Sequence, residues 1–267
     1  MPALQLSELY IYPIKSARGI SLSSARVDIR GLEHDRRWMV VDEQGKFLTQ
    51  RSIPRMALIR AELDSSYLSV KAAGMNELRL PLSPESGDPL RVCVWDDFFD
   101  AMDAGDEAAS WFTKMLSRPC RLVFMPDQVE RHVNPKYAPQ TTFVSFADAF
   151  PFMLISQASL NDLNSRLTEP VPMNRFRPNL VLEGCKAYEE DTWATVTIGS
   201  VRFHVAKPCS RCTVPTVNQD TGIRASEPIL TLGSYRSIDG KVYFGQNLTH
   251  DTQGMLTVGD EVHATRA

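Results

Sequence analysis

Apolar and polar positions alternate in short runs through the first third of the chain. Leu4 to Tyr12 is rich in Leu, Ile and Tyr and stops at Pro13, which reads as a strand ended by its proline. Ala25 to Arg30 alternates apolar and polar and ends at Gly31, the pattern of a half-buried strand. Arg37 to Val41 and Lys46 to Thr49 flank Asp42-Glu43-Gln44-Gly45, which predicts a hairpin. Met56 to Leu63, Tyr67 to Lys71, Leu78 to Leu80 and Leu90 to Trp95 continue the series, with turn residues between them. Short strands at this spacing predict a sheet that curls or closes.

The period then changes. Ala104 to Leu116 carries Trp111, Phe112 and Met115 on one face and is stopped by Pro119, which predicts a helix. Arg121 to Met125 reads as a strand, and residues 140–149 as a loop that begins polar. Ser156 is placed to cap a helix running to about Leu167, with Ile155 and Leu160 as its hydrophobic staple. Asn179 to Leu182 reads as a strand. Thr195 to Val205 reads as two strands joined at Gly199-Ser200. Glu227 to Arg236 holds a short helix, and Met255 to Val258 and Glu261 to Thr265 make a final hairpin about Gly259-Asp260. The fold class is mainly β with a few helices (α+β). The β-rich opening sets off a first domain over 1–100 from a second over 101–267.

Composition narrows the function more than the fold. The 267 residues are 43% hydrophobic and 23% charged, ordinary for a globular protein. A net charge of -3 and a pI near 6.0 argue against a nucleic-acid partner. No apolar run reaches the roughly 20 residues of a membrane helix. The opening residues show no secretory pattern. Five cysteines, an odd number, speak against a disulfide scaffold and for a reducing compartment, so a cytoplasmic location is expected.

Chemistry concentrates in Lys207-Pro208-Cys209-Ser210-Arg211-Cys212-Thr213. Two thiols sit just after a hairpin, in a loop opened by Pro208, with Lys207 and Arg211 beside them. Cations favour the thiolate, which is both nucleophile and metal ligand. Three roles compete with a pair of buried small hydrophobes. Zinc would need a second ligand pair, and only Cys185 and His204 offer themselves. A redox pair would normally open a helix, which Thr213-Val214-Pro215 does not favour. A single thiolate could hold a cofactor or attack a substrate, with the second cysteine in support.

Three further stretches are built to hold an anion. Pro13-Ile14-Lys15-Ser16 sets an ammonium beside a hydroxyl. Asp35-Arg36-Arg37-Trp38 supplies guanidinium groups at a strand entry, and Asn174-Arg175-Phe176-Arg177-Pro178-Asn179 does so before another strand. Pro178 biases Arg177 to an extended backbone. There is no glycine-rich phosphate loop of the common kinds and no H-E-x-x-H pattern. The carboxylates Glu189-Glu190-Asp191 read as a solvated turn before Trp193.

Tyr12-Pro13-Ile14-Lys15-Ser16, Asp35-Arg36-Arg37-Trp38, Phe176-Arg177-Pro178-Asn179, Glu190-Asp191-Thr192-Trp193, Ile198-Gly199, Lys207 to Cys212, Thr216-Val217 and Phe244-Gly245-Gln246-Asn247 occur in this order. Together they resemble the MOSC family, in particular its members with an N-terminal β-barrel domain, such as the amidoxime-reducing components and bacterial reductases of N-hydroxylated base analogues. The resemblance implies two β-barrel domains and the molybdenum cofactor, a phosphate-bearing Mo-pyranopterin. It implies Cys212 as catalytic residue and metal ligand. It implies that Lys15, Ser16, Arg36, Arg177, Asn179, Ser210 and Arg211 hold the cofactor, with Asp148 and Asn247 near the pocket. The activity it implies is reduction of N–OH to N–H in small N-hydroxylated bases and amidoximes. A non-catalytic carrier of the cofactor or of its sulfur is the alternative. At family level it also brings pyridoxal phosphate binding as a keyword. Some bacterial relatives continue into a ferredoxin-like tail with four cysteines around a [2Fe–2S] cluster. No cysteine follows Cys212, so the expected electron donor is a separate protein of ferredoxin or flavoprotein type.

Overall fold

The computed structural model describes residues 3–138 and 141–266; residue 140, the first of the predicted polar loop, lies outside them. The chain is mainly β with three α-helices among the described residues. The largest sheet runs in the spatial order Val262–Arg266, Trp193–Ile198, Val201–Ser210, Lys241–His250, Phe152–Ser156, Leu180–Glu183, Gln5–Ile11 and Ile20–Leu22. Its neighbours are antiparallel except Phe152–Ser156 and Leu180–Glu183, which run parallel and are linked through the helix Gln157–Ser165. The sheet curls back on itself. Gln5 bridges Glu261, Leu6 N donates to Asp260 O at 2.9 Å, and Val262 N donates to Leu4 O at 2.9 Å. Closure leaves no free edge along this seam. Leu9, Phe152, Leu154, Leu182, Val196, Phe203 and Leu248 form the core of the curled sheet.

A second β unit stands against it. Trp38–Val41, Arg121–Phe124, Asp97–Asp103 and Pro89–Val94 make a four-stranded sheet. Bridges from Phe47 to Val41 and from Lys46 to Cys93 span its open side. Met39, Val41, Val92, Val94, Val123 and Phe146 pack together there. Arg60–Leu63, Tyr67–Lys71 and Leu78–Pro81 form a three-stranded meander. The helix Asp106–Leu116 turns Trp111, Phe112 and Met115 inward, as its pattern predicts.

Several expectations need correction. Lys46 to Thr49 makes only isolated bridges, not a strand. The stretch from Met56 begins as a 3-10 helix, Pro54–Leu58, because Pro54 suits a first turn; the strand starts at Arg60. The last two strands are not a hairpin. Gly254–Thr257 pairs with Ser24–Asp28, whereas Val262–Arg266 pairs with Trp193–Ile198. Gly259 and Asp260 carry the chain from one sheet to the other, with Gly259 N donating to Leu6 O at 2.8 Å. Nor is 189–191 a solvated turn. Glu190 is buried and accepts hydrogen bonds from Ser156 N (3.1 Å), Ser156 Oγ (2.9 Å) and Ser159 Oγ (2.7 Å). Burial raises its carboxyl above the usual range. Asp191 holds Arg236 and Gln246, each at 2.6 Å.

Besides the short strands Ile20–Leu22, Gly31–Leu32 and Ser237–Ile238, three longer ones escape the sequence pattern. Phe152–Ser156 is buried at every position, so no alternation betrays it. Asp97–Asp103 has acidic residues where apolar ones are expected. Lys241–His250 is interrupted by Gly245. That glycine has φ 79°, and a Cβ there would meet Ile155 Cγ1 at 2.6 Å. Only glycine permits the close approach of Lys241–His250 to Phe152–Ser156. The Ser156 cap does form, with its hydroxyl accepting from Ser159 N at 3.1 Å, but the helix ends at Ser165.

Candidate active site

A cavity of about 580 Å³ lies where the curled sheet meets the second β unit. Every residue that the family resemblance implies for the site lines it: Lys15, Ser16, Arg36, Asp148, Arg177, Asn179, Ser210, Arg211, Cys212 and Asn247. They arrive from both units. The segment after Gln5–Ile11 brings Lys15 and Ser16, and the turn before Trp38–Val41 brings Arg36. The entry to Leu180–Glu183 brings Arg177 and Asn179, and the end of Val201–Ser210 brings the thiols.

The cysteine segment is less of a loop than Pro208 suggests. Lys207 to Ser210 continue the strand, with register shifts at Val205/Lys207 and Pro208/Ser210. Proline is tolerated at such irregularities because the ladder bond it cannot donate is already missing. Arg211 N still donates to Val242 O at 2.7 Å. Beyond it the backbone leaves the sheet, and Cys212 is exposed at the cavity while Cys209 is half-buried. The guanidinium of Arg211 meets the first thiol, with Nη1 at 3.2 Å from Cys209 Sγ, and its Nη2 donates to Phe176 O at 2.6 Å. Lys207 turns to aromatic faces, with Nζ 4.5 Å from the Tyr137 ring centroid.

Tyr12 organises the anion-holding groups. Two guanidinium groups lie over its buried ring, Arg177 at 4.2 Å and Arg36 at 4.4 Å from the centroid. Its hydroxyl donates to Pro178 O at 2.9 Å. Arg36 Nη1 also donates to the buried Asp35 carboxylate at 2.5 Å and to Asn179 Oδ1 at 3.0 Å. Burial raises the Asp35 carboxyl, against the pull of Arg36. Arg177 finds the partner its position demands in Ala17 O at 2.6 Å, and burial lowers its guanidinium to about 10. Its backbone, though, is not extended. Arg177 has φ 58°, and Ser16 (65°), Arg36 (50°) and Trp95 (57°) share that left-handed region. Non-glycine residues rarely adopt it, and they gather where the surrounding structure holds them in place for a purpose. At Arg177 the following proline disfavours the right-handed region, and the contacts to Tyr12 and Ala17 select the left-handed one.

Lys15 is buried, donating from Nζ to Phe146 O at 2.6 Å and to the carboxylate of Asp148. Burial lowers its ammonium to about 8, against the pull of Asp148. Burial would raise Asp148 in turn, but Lys15, then Arg51 and Arg36, outweigh it and bring it down to about 2. Asn247 Nδ2 reaches toward Lys207 O and Pro208 O, each at 3.5 Å.

Two neighbours in the flagged stretches point elsewhere. Arg37 donates to Met125 O at 2.5 Å and Asp127 at 2.7 Å. Arg175 donates to Pro215 O at 2.6 Å and Glu227 O at 3.1 Å. Conversely, Arg51, Trp95 and Lys241 line the cavity and were not singled out. No local pattern marks the two cations. Trp95 reads from the sequence as the end of a strand, and its place in a hairpin turn is visible only in the fold. Among the described residues, seven cationic side chains line the cavity (Lys15, Arg36, Arg51, Arg177, Lys207, Arg211, Lys241) against one carboxylate, Asp148. Such a surface attracts a multiply charged anion. No group of three or more His, Cys, Asp and Glu is placed to hold a metal among the described residues, which leaves the zinc reading without a ligand set.

Comparison with known proteins agrees with this picture. Residues 3–119 match the MOSC N-terminal beta barrel domain and residues 141–263 the MOSC domain. The chain is 39% identical to mitochondrial amidoxime-reducing component 1 of Mus musculus, covering 97% of this chain and 81% of the relative. It is 38% identical to mitochondrial amidoxime reducing component 2 of Rattus norvegicus, covering 97% and 82%. With component 1 of Homo sapiens the identity is 36%, again over 97% and 82%.

Proposed function

The chain belongs to the MOSC family, in the group that joins a MOSC N-terminal β-barrel domain to a MOSC domain, and from that premise we propose a molybdenum-cofactor-dependent reductase of small N-hydroxylated compounds. The observation that carries the reading is the cavity lining, which combines an exposed thiol, Cys212, with seven cationic side chains. A phosphate-bearing pterin fits that donor set. The cations match its anionic tail, the soft sulfur of the more exposed of the two thiols suits a soft metal, and the buried Arg211 Nε has no partner and so still has a hydrogen bond to offer.

In this reading Cys212 supplies the sulfur ligand. Lys15, Ser16, Arg36 and Arg177 grip the anionic tail, and Ser210 and Arg211 flank the pterin. Asn179 positions rather than touches, because its Oδ1 takes the Arg36 proton donor and its Nδ2 donates to Tyr10 O at 3.1 Å. Asp148 stays ionised throughout the working range and pins the Lys15 ammonium. Phe150, Phe152, Met153 and Phe176 line the apolar part of the cavity and limit water. When bound, the cofactor would supply the two electrons that, with two protons from solvent, convert N–OH to N–H and release water. We assign the supply of electrons to a separate ferredoxin- or flavoprotein-type protein, and the chain, with its five free thiols, to the cytoplasm.

The test is elemental analysis and turnover on protein made in a host that synthesises the cofactor. One molybdenum per chain and reduction of an amidoxime with a chemical or protein donor are expected. Cys212→Ser should lose metal and activity, while Cys209→Ser keeps much of both. Metal retained in Cys212→Ser refutes the ligand assignment. Full metal without turnover by the unaltered protein favours a carrier.

A further inference from the structure

Trp95 is the part of the cavity that nothing so far accounts for. It is the first residue of a two-residue turn, since Val94 pairs with Asp97 across it. Its φ is 57° and Asp96 has no positive φ. That is the corner at which hairpins favour glycine. A tryptophan there strains the backbone and gains no burial, with 53% of its surface exposed against 2% for Trp38, 8% for Trp111 and 5% for Trp193. A merely structural turn would be better served by Gly or Asn.

The ring is nevertheless held still. Phe47 meets it edge-on, with centroids 5.3 Å apart and planes at 69°. The Arg51 guanidinium lies 4.7 Å from its centroid and is itself drawn toward Asp148 at 3.7 Å. So a rigid, half-open indole stands in the wall of the cavity that holds Cys212. A fixed aromatic surface of this kind recognises flat π-systems by stacking and adds little for a methyl group.

We propose that Trp95 is the substrate-selecting wall of this cavity, stacking on the conjugated part of the N-hydroxylated compound so that aromatic substrates are preferred to aliphatic ones. The inference rests on the reductase reading for its substrate class and on the geometry of the turn for its residue. Trp95 touches substrate and takes no part in electron transfer.

The experiment uses the cofactor-loaded full chain, with benzamidoxime and acetamidoxime as the aromatic and aliphatic probes. Trp95→Gly relieves the left-handed strain while losing the contacts to Phe47 and Arg51, terms of about 1 kcal/mol each way, so the variant folds with a melting temperature within a few degrees of that of the unaltered protein. Its ratio of kcat/KM for benzamidoxime over acetamidoxime should fall about tenfold, chiefly through KM, and Trp95→Phe should recover most of it. Because Trp95 is the exposed one of four tryptophans, the red edge of the emission belongs to it. Benzamidoxime should quench that component and shift it to the blue, and the response should vanish in Trp95→Gly. An unaltered selectivity ratio, or red-edge emission indifferent to benzamidoxime, overturns the proposal. If the unaltered protein reduces neither probe, the reductase reading fails and the emission arm alone decides the stacking.

Discussion

Replacing Tyr12 tests how the anion-holding groups are positioned. Its ring carries two guanidinium groups, one at 4.2 Å and one at 4.4 Å, and its hydroxyl bonds Pro178 O at 2.9 Å. Tyr12→Phe keeps the ring and loses one buried hydrogen bond, a cost of about 1 kcal/mol. Tyr12→Leu loses that bond, two cation–π contacts of about 1 kcal/mol each, and part of a buried ring's packing, about 2 kcal/mol by analogy with core truncations. For a chain of this size each kcal/mol moves the melting temperature by roughly 2–4 °C. Tyr12→Phe should therefore melt about 3 °C lower and Tyr12→Leu more than about 10 °C lower. The functional readout is pyrophosphate binding by calorimetry on cofactor-free protein. With Arg36 and Arg177 no longer held by a shared ring, Tyr12→Leu should bind about tenfold more weakly, a loss of about 1.4 kcal/mol, and Tyr12→Phe within about twofold of the unaltered protein. Equal losses in the two variants would refute the argument, because the ring would then contribute nothing.

Pyrophosphate affinity should fall as pH rises through about 8, where the buried Lys15 ammonium loses its proton. The sign follows from charge: below that pH Nζ is cationic and attracts the anion, above it Nζ is neutral. Lys15→Met should bind weakly at every pH and show no such inflection in a calorimetric titration series. Glu190→Ala strands Ser156 N and two buried hydroxyls, at about 1 kcal/mol or more each. It should lower stability by about 3 kcal/mol in urea unfolding, and Glu190→Gln by about half of that.

Local punctuation made much of the fold legible. The strand end before Pro13, the Ser156 cap and the Gly199-Ser200 turn all depend on residues within a few positions of each other, whereas Gly31 opens a short strand, Gly31–Leu32, rather than ending one. What stayed hidden depends on partners far along the chain. Phe152–Ser156 is buried on both faces because Phe152 and Leu154 pack into one apolar cluster with Phe203 and Leu248, and Met153 and Ile155 into another with Leu232 and Phe244, and one sequence window holds no trace of these partners. Glu190 looks like surface charge until the Ser156 cap is folded against it. The candidate site shows the same division. Lys15, Arg36, Arg177 and Cys212 stand in short, distinctive stretches, so residue types and family likeness together reach them. Arg51 and Lys241 sit in ordinary surroundings, and only the folded chain brings them to the cavity. The left-handed backbone at Ser16, Arg36 and Arg177 has no sequence signature, because it is imposed by their contacts.

The seam between Gln5 and Glu261 bears on how the chain is born. A ribosome makes one side of it early and the other only after more than 250 further residues have been joined. Until then the strand Gln5–Ile11 can pair with Ile20–Leu22 and, once it is made, with Leu180–Glu183, but residues 4–6 lack the partner that closes the seam. Long-range pairing of this kind slows folding and leaves nascent strands open to wrong partners. A chaperone that shields the first strand until residues 260–262 have been made should therefore raise the yield of native protein.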